Sequence, residues 1–183
     1  MMNTLIITSP GSQIEIIKNF CKQAFEESAD ENMSLRDDKD SPSLLKHIKY
    51  NTIPMITAVT NGKEIISLSG VQKLNSDVGI LGKRFYTLKK YRRSPMGKPN
   101  NFFQDYMYQP QLQWASDNKF KVLLITFNEH NKRLIPVLQR EQKKGRSFES
   151  FRKLSKKLFI NSTDQHVLYK ILDTNYDIEK ILK

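Results

Sequence analysis

The chain has 183 residues, 38% of them hydrophobic and 10% aromatic, which is enough apolar material for a packed core and too much for wholesale disorder. Thirty Lys and Arg against nineteen Asp and Glu give a formal net charge of +11, unevenly placed: residues 1–50 hold six basic and eight acidic side chains, a net −2, so the other 133 residues carry +13. That asymmetry directs attention to an anionic partner for the later part of the chain (nucleic acid, a phosphorylated cofactor or a membrane surface), against the plain alternative of a solvated basic face. The single cysteine, Cys21, excludes an internal disulfide and a Cys-based zinc cluster. No apolar run approaches the roughly 20 residues that a membrane-spanning helix needs. The opening MMNTLIITSP is too short in its apolar part for a signal peptide and lacks a basic flank. The expectation is one cytoplasmic domain over residues 1–183, with no membrane association.

Asn3–Thr8 reads as a first strand. Ser12 and Glu15 stand at capping-box spacing, and behind them Ile17, Phe20, Cys21, Ala24 and Phe25 recur on one face of a helix, which places Cys21 toward the core. An acidic loop is expected from Glu26 to Asp40, then a short helix from Ser41-Pro42 to His47. Met55–Thr60 and Glu64–Leu68 flank Asn61-Gly62, the pair suited to positive φ in a type I′ hairpin turn. A third strand, Val78–Leu88, follows a turn at Asn75–Asp77. Residues 89–101 are basic and carry Pro95, Gly97 and Pro99, so they read as a loop, and Pro110 should interrupt or restart any helix near Phe102–Tyr108. Lys121–Phe127, KVLLITF, suits a buried strand. Asn131 can cap a helix to about Arg140. Residues 141–156 read as exposed and basic, Leu158–Ile160 and His166–Leu172 as a closing hairpin, and Asp177–Lys183 as a last helix. The order suggests an α+β fold with a mixed sheet.

From residue 78 to about 140 this order resembles the core of the GNAT superfamily of acyl-coenzyme A-dependent N-acyltransferases. In that family a strand ends in a glycine-rich loop of the form Arg/Gln-x-x-Gly-x-Gly/Ala before a helix, where backbone amides cradle the pyrophosphate of the cosubstrate. Here the stretch is Leu88-Lys89-Lys90-Tyr91-Arg92-Arg93-Ser94-Pro95-Met96-Gly97-Lys98. Tyr91-Arg92 is similar to the aromatic–arginine pair that opens many such loops, and Gly97 matches the last small residue. Leu112-Gln113-Trp114-Ala115 with Phe120, and Phe127-Asn128-Glu129-His130-Asn131, resemble the family's next helix end and strand end. The resemblance covers about a third of the chain well and the rest more loosely. It departs in three places: Pro95 stands where the first loop glycine belongs, the stretch from Gly97 to Phe120 is several residues too long, and Leu138 occupies the position at which the family often has a tyrosine acting as general acid.

The resemblance implies a mostly antiparallel mixed sheet flanked by helices, with the strands 82–88 and 122–127 splayed around an acyl-CoA cleft. It implies acetyl-CoA or another acyl-CoA as cosubstrate, an amine as acceptor and no metal. Leu88, Arg92, Arg93, Ser94, Met96, Gly97 and Lys98 would hold the pyrophosphate region, with the amides of Arg92 and Arg93 presented to it, and Asn131 would sit near the thioester. No catalytic residue is assigned. The alternative is a catalytically inactive domain of the same fold that binds nucleic acid or a protein partner through its basic surface. In that reading Lys83, Arg84, Lys89, Lys90, Arg92, Arg93 and Lys98 meet a phosphate backbone, while Phe85, Tyr86, Tyr91, Phe102, Phe103, Tyr106 and Tyr108 stack on bases. A second basic run, from Arg140 to Lys157, matches no motif. The acidic residues Glu26, Glu27, Asp30, Glu31, Asp37 and Asp38 fall where the resembled family commonly binds its acceptor. His47, His130 and His166 lack metal-ligand spacing.

Overall fold

Ile17, Phe20 and Ala24 recur on one face of helix α1 (Ile14–Ser28), and all three are buried, as their spacing predicts. A 3-10 turn at Gly11–Gln13 leads into this helix. The computed structural model describes residues 2–8, 11–28, 52–92, 106–127, 151–160 and 163–182. They form two compact units: Met1–Lys73 with Gly82–Trp114, and Leu74–Leu81 with Ala115–Lys183.

The first unit is built on β1 (Asn3–Ile7), β2 (Met55–Thr60), β3 (Ile65–Lys73) and the later part of β4 (Val78–Thr87). β1 and β2 pair antiparallel from Asn3↔Thr60 to Ile7↔Ile56, and β2 pairs β3 antiparallel with an irregularity between Val59 and Thr60. The hairpin turn stands where Asn61-Gly62 predicts it, with a different geometry. Gly62 is at φ 89, whereas Asn61 is not at positive φ. The Asn61 side-chain oxygen instead accepts the amides of Lys63 (3.0 Å) and Glu64 (3.1 Å), which closes an Asx-type turn four residues long. One face of this sheet is apolar: Ile7, Ile53, Ile56, Ala58, Leu68, Tyr86 and Leu88 pack against Ile17, Phe20 and Ala24 of α1. Gly70, opposite Ile56, admits no side chain, because an added Cβ would lie 2.6 Å from the Ile53 Cγ2 methyl and 3.2 Å from the Met55 carbonyl.

Helix α2 (Tyr108–Asp117) begins beside Pro110, which is tolerated because a first-turn residue has no intrahelical acceptor for an N–H. The expected interruption at this proline does not occur, since helical backbone runs from a π turn at 106–107 through Pro110 to Asp117.

In the second unit, residues Val78–Ile80 of β4 pair parallel with β5 (Val122–Phe127), and β5 pairs antiparallel with β8 (Thr163–Ile171) along its whole length. β6 (Arg152–Lys153) and β7 (Leu158–Ile160) both pair with β8. Val78, Ile80, Val122, Leu124, Leu154, Leu158, Ile160 and Val167 make its core. The strand order is β1-β2-β3-β4-β5-β8-β6, a mixed and mostly antiparallel sheet of an α+β fold. Two expectations are corrected in this part. Residues 151–156 are not simply an exposed basic stretch, since Phe151 and Leu154 are buried on either side of β6. The closing helix is a 3-10 helix, Ile178–Leu182. The short helix expected at 41–47 and the helix from Asn131 lie outside the described residues.

Candidate functional site

β4 keeps its parallel ladder for three residue pairs, Val78↔Val122 to Ile80↔Leu124, and then runs on to Thr87. At Gly82 the backbone enters the left-handed region, φ 68, which glycine adopts without a Cβ clash. The Gly82 amide donates to Gln111 Oε1 of α2 at 3.1 Å. Gln111 Nε2 donates in turn to Thr57 Oγ1 (2.8 Å), and Thr57 donates to the Ser69 carbonyl (3.3 Å). On the same side of the hairpin Ser67 Oγ bonds the Tyr86 carbonyl (3.0 Å) and lies 2.8 Å from Thr87 Oγ1. Thr57, Ser67, Ser69 and Gln111 are all fully buried, and Ser69 Oγ has no hydrogen-bond partner among the described residues. None of these residues was singled out in the sequence. Gln111 carried a readable sign: it shares the buried face of α2 with Tyr108 and Ala115, and a polar residue in a buried row signals a buried partner.

Beyond β4 the chain folds into a 3-10 turn at Lys89–Tyr91. The Leu88 amide donates to the Ile66 carbonyl (3.0 Å), the Tyr91 amide to Leu88 (2.9 Å) and the Arg92 amide to Lys89 (3.2 Å). The Lys89 amide donates to Glu27 Oε2 at 2.7 Å. This corrects the expectation that the Arg92 amide faces an anionic guest, because closing the 3-10 turn consumes it. The Arg92 side chain is likewise engaged, with Nε donating to the Thr87 carbonyl (2.8 Å) and the guanidinium 4.7 Å from the centre of the Tyr86 ring. Glu27, expected in an acidic loop, belongs to the last turn of α1, and so does Glu26.

The turn is also tied to the β2–β3 hairpin. Glu64 Oε1 accepts from Lys90 Nζ and from the Tyr91 hydroxyl, each at 2.8 Å, and Asn61 Nδ2 donates to the same hydroxyl at 3.1 Å. The Lys90 ammonium holds the Glu64 carboxyl below its ordinary range, while the carboxylate raises the pKa of both Lys90 and Tyr91.

Of the remaining expected site residues, Arg93, Ser94, Met96, Gly97, Lys98 and Asn131 lie outside the described residues, as do Leu138 and the side chains of Lys83 and Arg84. Among the rings read as a stacking platform, Tyr86 and Tyr108 are buried, and burial pushes the Tyr108 hydroxyl up to about 12. Phe85 and Tyr106 are half-buried, and Tyr91 is bonded to Glu64. From the second basic run, Arg152, Lys153, Lys156 and Lys157 are exposed. His166 stacks on Phe127 with ring centres 5.5 Å apart. Among the described residues no three His, Cys, Asp or Glu gather where they would hold a metal ion, and no helix is long and apolar enough to cross a membrane.

No family model matches the sequence, and no curated protein sequence matches it. The fold, by contrast, matches many solved structures. A GNAT-family acetyltransferase from Staphylococcus aureus Mu50 is similar with a TM-score of 0.61 at 16% identity, over 93% of this chain and 100% of that one. A GNAT-family acetyltransferase from Elizabethkingia anophelis with acetyl-CoA bound gives 0.53 at 13% identity, over 94% and 97%. The PaiA N-acetyltransferase of Thermoplasma acidophilum in complex with coenzyme A gives 0.52 at 11% identity, over 92% and 99%. The chain therefore has the fold of the GNAT acetyltransferases.

Proposed function

We propose that the chain is an acyl-CoA-dependent N-acyltransferase that uses acetyl-CoA to acylate an amine. The observation that carries this reading is the course of β4, which leaves its parallel ladder after Ile80, turns at Gly82 and continues to Thr87 in a fold shared with acetyl-CoA- and CoA-bound acetyltransferases. The backbone of Gly82–Thr87 would receive the pantetheine arm. Leu88 and Arg92 would set the direction of the turn rather than lend it their amides, so the pyrophosphate falls to Arg93, Ser94, Met96, Gly97 and Lys98, with Asn131 toward the thioester. The +13 carried after residue 50 suits a ligand with several phosphate charges.

An acyl-CoA supplies an activated acyl carbon: the amine nitrogen forms the new C–N bond, the C–S bond breaks, and the amine proton is balanced by release of the free thiol. Leucine at position 138 cannot donate a proton, and no other side chain is assigned to that step. Holding the two reactants in line contributes several kcal/mol in such reactions, up to roughly 7–11 in well-oriented cases, so positioning can serve as the main catalytic device.

Acetyl-CoA at about a hundred times its Kd should stabilise the native chain by about 2.7 kcal/mol, a rise of about 5–10 °C in melting temperature for a chain of this size. A thermal-shift titration checks this. No shift at millimolar acetyl-CoA, together with salt-sensitive binding of single-stranded DNA or RNA, would replace this reading with that of an inactive domain on the same fold.

A further inference from the structure

We infer that Gln111 is a positioning residue for cosubstrate binding: its side-chain oxygen holds the Gly82 amide, and with it the left-handed backbone step at Gly82, just beyond the point where β4 leaves its ladder with β5. The inference rests on the reading of β4 given above. A residue at φ 68 inside a strand turns its N–H away from the ladder direction, and a half-buried N–H needs another acceptor. Gln111 Oε1 is that acceptor, and it comes from a helix 29 positions further along the chain.

The orientation of the glutamine amide follows from its partners. An N–H can only donate, so the atom facing Gly82 is the oxygen, and the amide nitrogen must face Thr57 Oγ1, 2.8 Å away. The Thr57 hydroxyl then has its own proton to give, and the Ser69 carbonyl takes it. A relay thus runs from the β3 backbone through β2 and α2 to one amide of β4, and each link fixes the orientation of the next.

Packing alone does not account for these residues. Thr57 and Gln111 are fully buried beside the Ser69 hydroxyl, which has no partner among the described residues, and apolar side chains of similar volume would fill the same space without desolvating polar groups. What an apolar residue at 111 cannot do is accept from Gly82. Gln111 touches neither cosubstrate nor acceptor in this account, and acts through the strand.

The test uses the full chain and acetyl-CoA as the probe. Isothermal titration gives Kd and stoichiometry for the wild type, Gln111→Leu, Thr57→Val and Thr57→Ser, and NMR hydrogen exchange follows the Gly82 amide in each. Gln111→Leu should weaken acetyl-CoA binding roughly tenfold and speed Gly82 exchange by a similar factor, with stoichiometry unchanged. Thr57→Val should act in the same direction more weakly, and Thr57→Ser, which keeps the hydroxyl, should behave as wild type. A merely structural role would lower the stoichiometry through loss of folded protein and leave Kd alone. Should Gln111→Leu not fold, Thr57→Val decides by the same two readings. Wild-type Kd in the valine and leucine variants overturns the inference while leaving the acyltransferase reading standing. Failure of the wild type to bind acetyl-CoA overturns both.

Discussion

The two faces of the β2–β3 hairpin are built on different principles. Toward α1 the contact is apolar throughout, from Ile56, Ala58 and Leu68 to Ile17, Phe20 and Ala24, and the energy there is area removed from water. On the opposite face the same two strands set Thr57, Ser67 and Ser69 among the buried apolar Met55, Val59 and Val71; Gln111 of α2 bonds Thr57, and the Ser69 hydroxyl has no partner among the described residues. The buried polar groups contribute little net stability, because each bond formed replaces one to water. Their value is directional: they specify where an amide points, which an apolar surface cannot. Both faces bury apolar side chains, and only the second adds polar groups that aim the strand the proposed chemistry uses.

The contrast can be broken by substitution. Phe20→Ala, on the apolar face, should cost about 3–5 kcal/mol of unfolding free energy in urea denaturation, since both transfer energy and packing are lost. A loss below about 1 kcal/mol would mean that α1 is not the main cover of this face. Gly70→Ala tests the closeness of the same face from the opposite direction. The added methyl meets the branched Ile53 side chain and a backbone carbonyl, and should cost about 1–3 kcal/mol by the same measurement. Ser69→Ala, on the opposite face, should leave stability within about 0.5 kcal/mol of wild type or raise it slightly, because the hydroxyl removed has no partner among the described residues. A loss above about 1 kcal/mol would show that this hydroxyl has a partner and belongs to a closed polar network.

Local signals were legible and long-range ones were not. The 3.6-residue recurrence of Ile17, Phe20 and Ala24 located α1, and the apolar run KVLLITF located β5, because both patterns are complete within a few residues. The turn at Asn61 was placed correctly with the wrong geometry. An asparagine at positive φ and one that caps two amides with its side chain look the same in sequence. β6 went unseen because two basic residues carry no strand signal, and only their pairing with Tyr169 and Leu168 makes them one. At the site, the end of β4 and the turn after it were legible from the change in composition. The bonds that define them join residues far apart: Glu27 to Lys89 across 62 positions, Asn61 to Tyr91 across 30 and Gly82 to Gln111 across 29. The Arg92 amide was misread for a local reason, since nothing in Leu88-Lys89-Lys90-Tyr91 distinguishes a 3-10 turn from an open loop.

Arg92 also shows why a tally of formal charge is a poor guide to what a ligand experiences. Its cation lies over the Tyr86 ring with Nε committed to a carbonyl, and the neighbouring Lys90 is neutralised by Glu64 at 2.8 Å. The +11 of the chain already subtracts Glu64, so the Lys90 pair adds nothing to it, while Arg92 keeps its charge but is held in place by neutral partners. The attraction that an approaching phosphate feels on this side of the sheet is weaker than the count of basic residues implies.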